Sequence, residues 1–149
     1  MTRPTHVTVG FVAEGVTARA RLDWESAPDI CQAIVDATPF TVRAHHATFS
    51  GSEIAAITPN LPKLAPANPT SNTHVGDLAY GYLLAEDHYG VDADFAEICW
   101  FYDIDSRPSM FTGPFPVSVF ARFEDAADFF AASRDMRLAG AKQIEVRSS

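Results

Sequence analysis

The chain has 149 residues, of which 47% are hydrophobic, and this suits one compact domain over residues 1–149 with a single core. Its formal net charge of -8 excludes an extended phosphate-binding surface, because contacts to nucleic-acid backbones require clustered Lys and Arg. No apolar run approaches the length of a membrane span, and the N-terminal MTRPTHVTVGFV lacks the apolar stretch of a secretory signal. We therefore expect a soluble, cytoplasmic protein with neither a nucleic-acid nor a membrane partner.

The first quarter of the sequence predicts a β-hairpin followed by a helix. Residues 6–11 and 16–22 alternate between apolar and polar side chains, and Gly15 supplies the tight turn between them. Ser26 is placed to cap a helix in which apolar residues then recur at helical spacing. The helix is expected to end near residue 37.

The middle of the sequence predicts strands around a long loop. Residues 41–49 have strand character, and residues 54–57 predict a short strand or a helical turn. Residues 59–74 read PNLPKLAPANPTSNTH, and this mixture of Pro, Asn, Ser and Thr predicts a partly extended surface loop. Two further strands are predicted at 78–84 and 97–103, with an acidic segment between them.

The last quarter predicts a strand, a helix and a final strand. Residues 116–123 alternate in strand fashion, residues 125–138 form a helix with one apolar side, and Gly140 is placed to end it. A strand at 142–146 closes the chain. Eight strands and two helices without βαβ alternation predict a mainly β fold, a β-barrel capped by two helices.

No metal site or cofactor is predicted. Cys31 and Cys99 have no CxxC partner and lie in apolar surroundings, which predicts two buried free thiols. The spacing Asp92-x-Asp94-x-x-Glu97 resembles part of a calcium loop, but the glycine and the further oxygen ligands of an EF-hand are missing. A solvated acidic loop is therefore the favoured interpretation.

Two adjacent histidines stand out in the stretch RAHHATFSGSEIAAI at 43–57. Because successive side chains of a strand point to opposite faces, His45 and His46 cannot bind one metal ion together. The simpler alternative for each is a packed imidazole that hydrogen-bonds to the backbone. His74 and His88 lie at the edges of loops, and their spacing leaves open whether either approaches His46.

Three stretches, in this order of elements, resemble the cyclophilin-like barrel. They are the APDICQAIV helix after the first hairpin, the AHHATFSG strand and the late GPFPVSVFARFEDAADFFAAS block. The chain is also similar to uncharacterised bacterial proteins of this fold, in which a His-Ala-x-aromatic-Ser-Gly strand and a Gly-Asp-x-x-Tyr strand recur. Residues 46–51 and 76–80 fit these two patterns. The resemblance implies a closed eight-stranded barrel with two capping α-helices.

Cyclophilins are prolyl isomerases, and the resemblance bears on that activity through one strand. Their Phe-His-Arg motif carries an arginine that polarises the substrate amide, and its nearest match here is Ala44-His45-His46, with His46 at the arginine position. A neutral imidazole offers neither the guanidinium fork nor its permanent charge. The resemblance therefore implies a barrel without prolyl isomerase activity, and residual isomerase activity is the weaker alternative.

The same resemblance implies a groove around His46, with Tyr102 and Phe111 as apolar walls and Glu53 as a carboxylate. The Ser-Gly-Ser-Glu run at 50–53 has the spacing of a capping box, so a turn or cap is favoured over a functional role for Glu53. The predicted function is binding of a small metabolite in this groove, or its transformation there, with no catalytic residue assigned. The alternative is a non-catalytic protein whose exposed aromatics and edge strands form a homodimer or larger homo-oligomer.

Overall fold

A computed structural model describes residues 3–87 and 91–149 of the chain. Within these ranges it contains ten β-strands and two α-helices. The elements are β1 (His6–Phe11), β2 (Val16–Leu22), α1 (Pro28–Ala37), β3 (Phe40–His46), β4 (Glu53–Ile57), β5 (Asp77–Leu83), β6 (Phe95–Phe101), β7 (Ser109–Met110), β8 (Gly113–Pro114), β9 (Ser118–Glu124), α2 (Ala127–Ala139) and β10 (Lys142–Ser148). None of the described helices is long and apolar enough to span a membrane.

Eight of the strands close into a barrel in the order β1-β10-β3-β4-β6-β5-β9-β2. Every neighbouring pair in this order is antiparallel. The two short strands β7 and β8 pair with each other outside the barrel. The predicted fold class, a mainly β protein with a closed eight-stranded barrel and two helices, is confirmed.

The barrel interior holds the main hydrophobic core, and α2 closes one end of it. Trp100 of β6 is fully buried, and its ring centroid lies 6.3 Å from that of Phe11 and 5.3 Å from that of Phe129 on α2. The Trp100 indole donates a hydrogen bond to the Ser133 hydroxyl, with 3.0 Å between Nε1 and Oγ. This bond satisfies the one polar group that the indole takes into the core.

Both helices begin differently from the prediction. Ser26 does not cap α1 with its side chain; instead its backbone N–H donates to Asp23 Oδ1 at 3.0 Å, which forms the turn before the helix. The second helix starts at Ala127 rather than at 125, because Asp125 has a φ of 49°, outside the right-handed helical region. Gly140 ends α2 as predicted, with a φ of 85° that suits glycine.

The strand predicted at 41–49 ends earlier, at His46, because the chain then turns to meet the 103–109 segment. Ser50 Oγ accepts a hydrogen bond from the Ser109 N–H at 2.9 Å and donates to the Ser109 carbonyl at 3.1 Å. Strand β4 follows directly at Glu53, so no helix exists for the Ser-Gly-Ser-Glu run to cap. The turn interpretation of this run is correct and the capping-box interpretation is wrong.

The Pro-rich segment between β4 and β5 is irregular, as its composition predicts. It is held to the barrel by Tyr80, whose hydroxyl donates to the Pro62 carbonyl at 2.7 Å and accepts from the Leu64 N–H at 3.0 Å. A single antiparallel bridge joins Thr70 to Val117. The loop therefore lies along the barrel wall although it forms no strand of its own.

Candidate functional site

A cavity of about 380 Å³ opens on the outer face of the barrel, over strands β3, β4, β6 and β5. In the strand register His45 lies opposite Ala55, Ala55 opposite Cys99, and Ile57 opposite Glu97. Ile54, next to Ala55 in the chain, and Trp100, next to Cys99, both point into the barrel core. Because side chains alternate between faces, His45, Glu53 and Glu97 share the outer face. We call this site the outer-face cavity.

The remaining walls of the outer-face cavity are mostly apolar. The segment that includes β7 and β8 folds over this side of the barrel and contributes Pro108, Met110 and Phe115. A second, smaller apolar cluster packs on the same outer face; its buried members are Ala55, Ala79, Cys99, Phe101 and Val117. An apolar cavity of this size with a few polar groups is typical of small-molecule sites.

Small residues on neighbouring strands leave room for the acidic side chains. Gly81 of β5 is the cross-strand partner of Glu97, and a Cβ on Gly81 would lie only 2.9 Å from the Phe115 ring and 3.5 Å from Glu97 Oε1. Ala55 is the partner of Cys99 and carries only a methyl group on the path between the two glutamates. The glutamate side chains can therefore extend toward each other over this part of the sheet.

Glu53, Glu97 and Cys99 converge at the floor of the outer-face cavity. Each contributes one polar or sulfur atom, and these atoms all lie within 4.8 Å of one another. Glu53 is 5% exposed and Glu97 is half-buried. The three residues come from two adjacent strands, so their proximity depends on the strand register and not on their spacing in the sequence.

The environment of the two glutamates raises the pKa of both carboxyl groups. Burial, and then the negative charge of Glu53, raises the pKa of Glu97 to about 8. Burial also raises the pKa of Glu53, while hydrogen bonding with Ser50 and Cys99 acts in the opposite direction. Two carboxyl groups this close and this desolvated ionise one after the other, so the pair retains a proton near pH 7.

The same three groups are spaced so that they could hold a metal ion. Burial and the charges of both glutamates raise the pKa of the Cys99 thiol well above its usual value. A cation would therefore have to displace the thiol proton as well as the carboxyl proton before all three could bind it. Proton exchange at the carboxyl pair needs no such step.

His45 lines the mouth of the outer-face cavity. Desolvation, and then the neighbouring His46, lowers its pKa. The ring is therefore neutral at pH 7 and offers one hydrogen-bond donor and one acceptor. Such a group can orient a ligand without adding charge.

His46 points to the opposite side of the strand and hydrogen-bonds within the protein. Its Nδ1 lies 2.8 Å from the Ala47 carbonyl, which can only accept, so Nδ1 carries the proton. Its Nε2 then accepts from the Tyr102 hydroxyl at 2.7 Å. That hydroxyl in turn accepts from Arg137 Nε at 3.0 Å, and Arg137 also donates to Ser52 Oγ at 3.0 Å.

The structure separates the four residues predicted to form one groove. Glu53 lines the outer-face cavity, while His46 and Tyr102 belong to the hydrogen-bonded network on the other side of the strand. Phe111 is 68% exposed, and its ring centroid lies 6.0 Å from that of Phe49 at the cavity edge. The histidine at the cavity is His45 rather than the favoured His46. Ligand binding by the four residues stays a prediction.

Two other predicted features can be placed. His74 lines a separate polar pocket with Asp77 and Arg122, and its Nδ1 lies 3.7 Å from the Asp77 carboxylate. His88 lies outside the described residues. Both cysteines are free and buried, as predicted.

Glu97 is a site residue that the sequence did not reveal, because it was predicted both as the first residue of the strand at 97–103 and as the last carboxylate of a solvated acidic loop. It lies inside β6, which begins two residues earlier, in the run FAEICWF. A lone glutamate in the middle of an otherwise apolar strand was the available signal, because a charged side chain in such a strand requires a special environment. The apparent calcium spacing with Asp92 and Asp94 obscured it.

Two solved structures share the barrel. The solution structure of the hypothetical protein AF2241 from Archaeoglobus fulgidus is similar over 100% of this chain and 98% of that chain, with a TM-score of 0.63 and 19% identity. The structure of McbB in complex with tryptophan is similar over 95% of this chain, with a TM-score of 0.66 and 17% identity, and the match spans 44% of the McbB chain. At these identities the likeness shows the fold alone.

A comparison with curated proteins gives no match. A comparison with protein families gives a match from residue 9 to residue 148, which is nearly the whole chain. The chain therefore belongs to the family described as protein of unknown function, DUF3830.

Proposed function

We propose that the protein binds a small organic molecule in the outer-face cavity and exchanges a proton with it through Glu53 and Glu97. The observation that carries this proposal is the carboxyl pair, whose atoms lie within 4.8 Å of each other at the floor of a largely apolar cavity. Titratable groups with strongly shifted pKa values in a cavity are characteristic of functional sites.

The protonation state of Glu97 suits general acid–base chemistry. With a pKa of about 8, Glu97 is available in both its neutral and its ionised form near neutral pH. Proton transfer is most effective when the pKa of the catalytic group lies close to the working pH. Glu97 is thus the acid or base, burial and then the charge of Glu53 raise its pKa, and His45 orients the ligand.

The barrel itself supports the proposal by analogy. We propose that the barrel is a cyclophilin-like barrel of bacterial origin. It lacks the isomerase activity of cyclophilins, because neither His45 nor His46 supplies the guanidinium group on which that activity depends. McbB, part of which is similar to this barrel, has been solved in complex with tryptophan, a small molecule that combines an aromatic ring with charged groups. Compounds of this size are therefore sensible first probes of the outer-face cavity.

A thermal-shift screen of small amines, acids, amides and alcohols tests the proposal. We expect at least one compound to raise the melting temperature of the wild type, with a smaller rise in Glu97→Gln and in Glu53→Gln. The matched control is Glu25→Gln, which makes the same change at an exposed position outside the cavity. The proposal fails if no compound stabilises the protein, or if all three variants respond like the wild type.

Homodimer formation is the second candidate, and it draws on the aromatic pair at the cavity edge. Phe49 is 52% exposed and Phe111 is 68% exposed, and their rings contact each other edge to face. Exposed aromatic residues in contact are common at protein interfaces. Sedimentation of the wild type against Phe49→Ser tests this: a dimer that the substitution dissociates supports it, and a wild-type monomer rejects it.

A further inference from the structure

The outer-face cavity carries acidic groups without basic ones. Among its described lining residues there are two glutamates and one neutral histidine, and neither Lys nor Arg. The nine ion pairs of the described chain involve neither Glu53 nor Glu97. Residues 3–87 and 91–149 therefore supply this pair with no ion-pair partner and line the cavity with no Lys or Arg.

An uncompensated buried carboxylate is costly, and this cost selects the ligand. Glu53 is 5% exposed, so its negative charge cannot be solvated well by water. A ligand that brings a positive charge replaces the missing counter-ion, whereas a ligand with a carboxylate adds a third negative group to the same small space. The charge of the site thus discriminates between ligands of the same shape.

The hydrogen-bonding groups point to the same ligand class. An ammonium group has three N–H donors and no acceptor, and ionised carboxylates are acceptors only. Two carboxylates and the neutral ring of His45 together provide three accepting groups at one cavity. The walls around them include the rings of Phe95 and Phe115, which suit an apolar substituent on the amine.

We propose that the outer-face cavity takes an organic amine in its ammonium form, with the nitrogen at Glu53 and Glu97 and the apolar part against Phe95 and Phe115. This rests on the proposed function and adds the class of ligand to it. Because the ammonium ion favours the ionised form of the carboxyl pair, binding releases a proton to the solvent. No covalent change is required.

Three compounds with one ring and different charges test the inference: phenethylamine, 2-phenylethanol and phenylacetate. Calorimetric titration at pH 7 in the presence of EDTA gives their affinities without contributions from metal ions. We expect phenethylamine to bind about tenfold more tightly than 2-phenylethanol, and phenylacetate to bind most weakly, as a charge-assisted hydrogen bond predicts. Repeating the titration in buffers of different ionisation enthalpy should show net proton release with the amine alone.

The Glu97→Gln variant separates charge from shape. We expect it to lose most of the preference for phenethylamine over 2-phenylethanol, because glutamine has nearly the same size as glutamate but no charge. The Glu25→Gln control should keep the full preference. Equal binding of the three compounds, or tighter binding of phenylacetate, overturns the amine inference but leaves small-molecule binding standing. If phenethylamine does not bind, the amine inference is wrong, and the library screen alone then decides the proposed function.

Discussion

Gly81 and Glu97 face each other across β5 and β6, and the ring of Phe115 lies against the outer side of Gly81. A Cβ at Gly81 would approach this ring to 2.9 Å, a distance that real Cβ contacts do not show. Glycine in the middle of a strand weakens it, and often marks a close approach of another group. Here the missing side chain lets the covering segment pack directly onto the sheet next to the acidic pair.

Gly81→Ala should therefore destabilise the protein, although alanine normally favours a strand more than glycine does. We expect a loss of about 1–3 kcal/mol in the free energy of unfolding, as for other overpacked sites, measured by urea denaturation. The double variant Gly81→Ala with Phe115→Leu provides the matched control. Because leucine is smaller than phenylalanine, the double variant should recover part of the lost free energy of unfolding. A Gly81→Ala variant as stable as wild type would show that the covering segment moves freely.

Glu97→Gln should change how stability depends on pH. In the unfolded chain the pKa of Glu97 is near 4.5, and in the folded protein it is about 8, so the folded state holds a proton that the unfolded state has lost. The free energy of unfolding of the wild type should therefore fall as pH rises between these values. A pKa shift of this size corresponds to a loss on the order of a few kcal/mol. The glutamine variant lacks this titration.

We expect Glu97→Gln and wild type to have similar stability near pH 4, and the variant to be more stable above pH 8. Urea denaturation across this pH range measures the effect, and Glu25→Gln should follow the wild-type curve. Parallel curves for wild type and Glu97→Gln would show that Glu97 ionises normally in the folded protein, and the acid–base role proposed for it would then be wrong.

Tyr102→Phe should weaken the fold but not ligand binding in the outer-face cavity. The substitution removes the hydroxyl that donates to His46 Nε2 and accepts from Arg137. Loss of a mostly buried hydrogen bond of this kind costs about 1–3 kcal/mol, which chemical denaturation can measure. If the variant instead keeps its stability and loses ligand affinity, Tyr102 contacts the ligand, as the sequence-based groove implied.

Proline-containing peptides should isomerise at their uncatalysed rate in the presence of this protein. The described lining of the outer-face cavity contains no arginine, and His45 there is neutral at pH 7 because its pKa is lowered. A peptide isomerisation assay of wild type, His45→Ala and His46→Ala checks this expectation. A rate enhancement that His46→Ala abolishes would instead favour the isomerase alternative.

Much of the fold could be predicted because its signals are local. The alternation in β1 and β2, the turn at Gly15 and the helix stop at Gly140 each depend on a few consecutive residues. The wrong end of the third strand arose where distant segments meet. Strand β3 ends at His46 because the chain then binds the loop around Ser109, and nothing near residue 46 signals that contact.

By itself, the sequence determined that the chain forms a barrel with two helices, because periodicity and turn residues decide which segments become strands. It also determined that His45 and His46 lie on opposite faces, since strand alternation permits nothing else. Only the tertiary structure decided which of the two faces the cavity. The same holds for the acidic pair: Glu53 and Glu97 are 44 residues apart in the sequence, and the register of β4 against β6 brings them together.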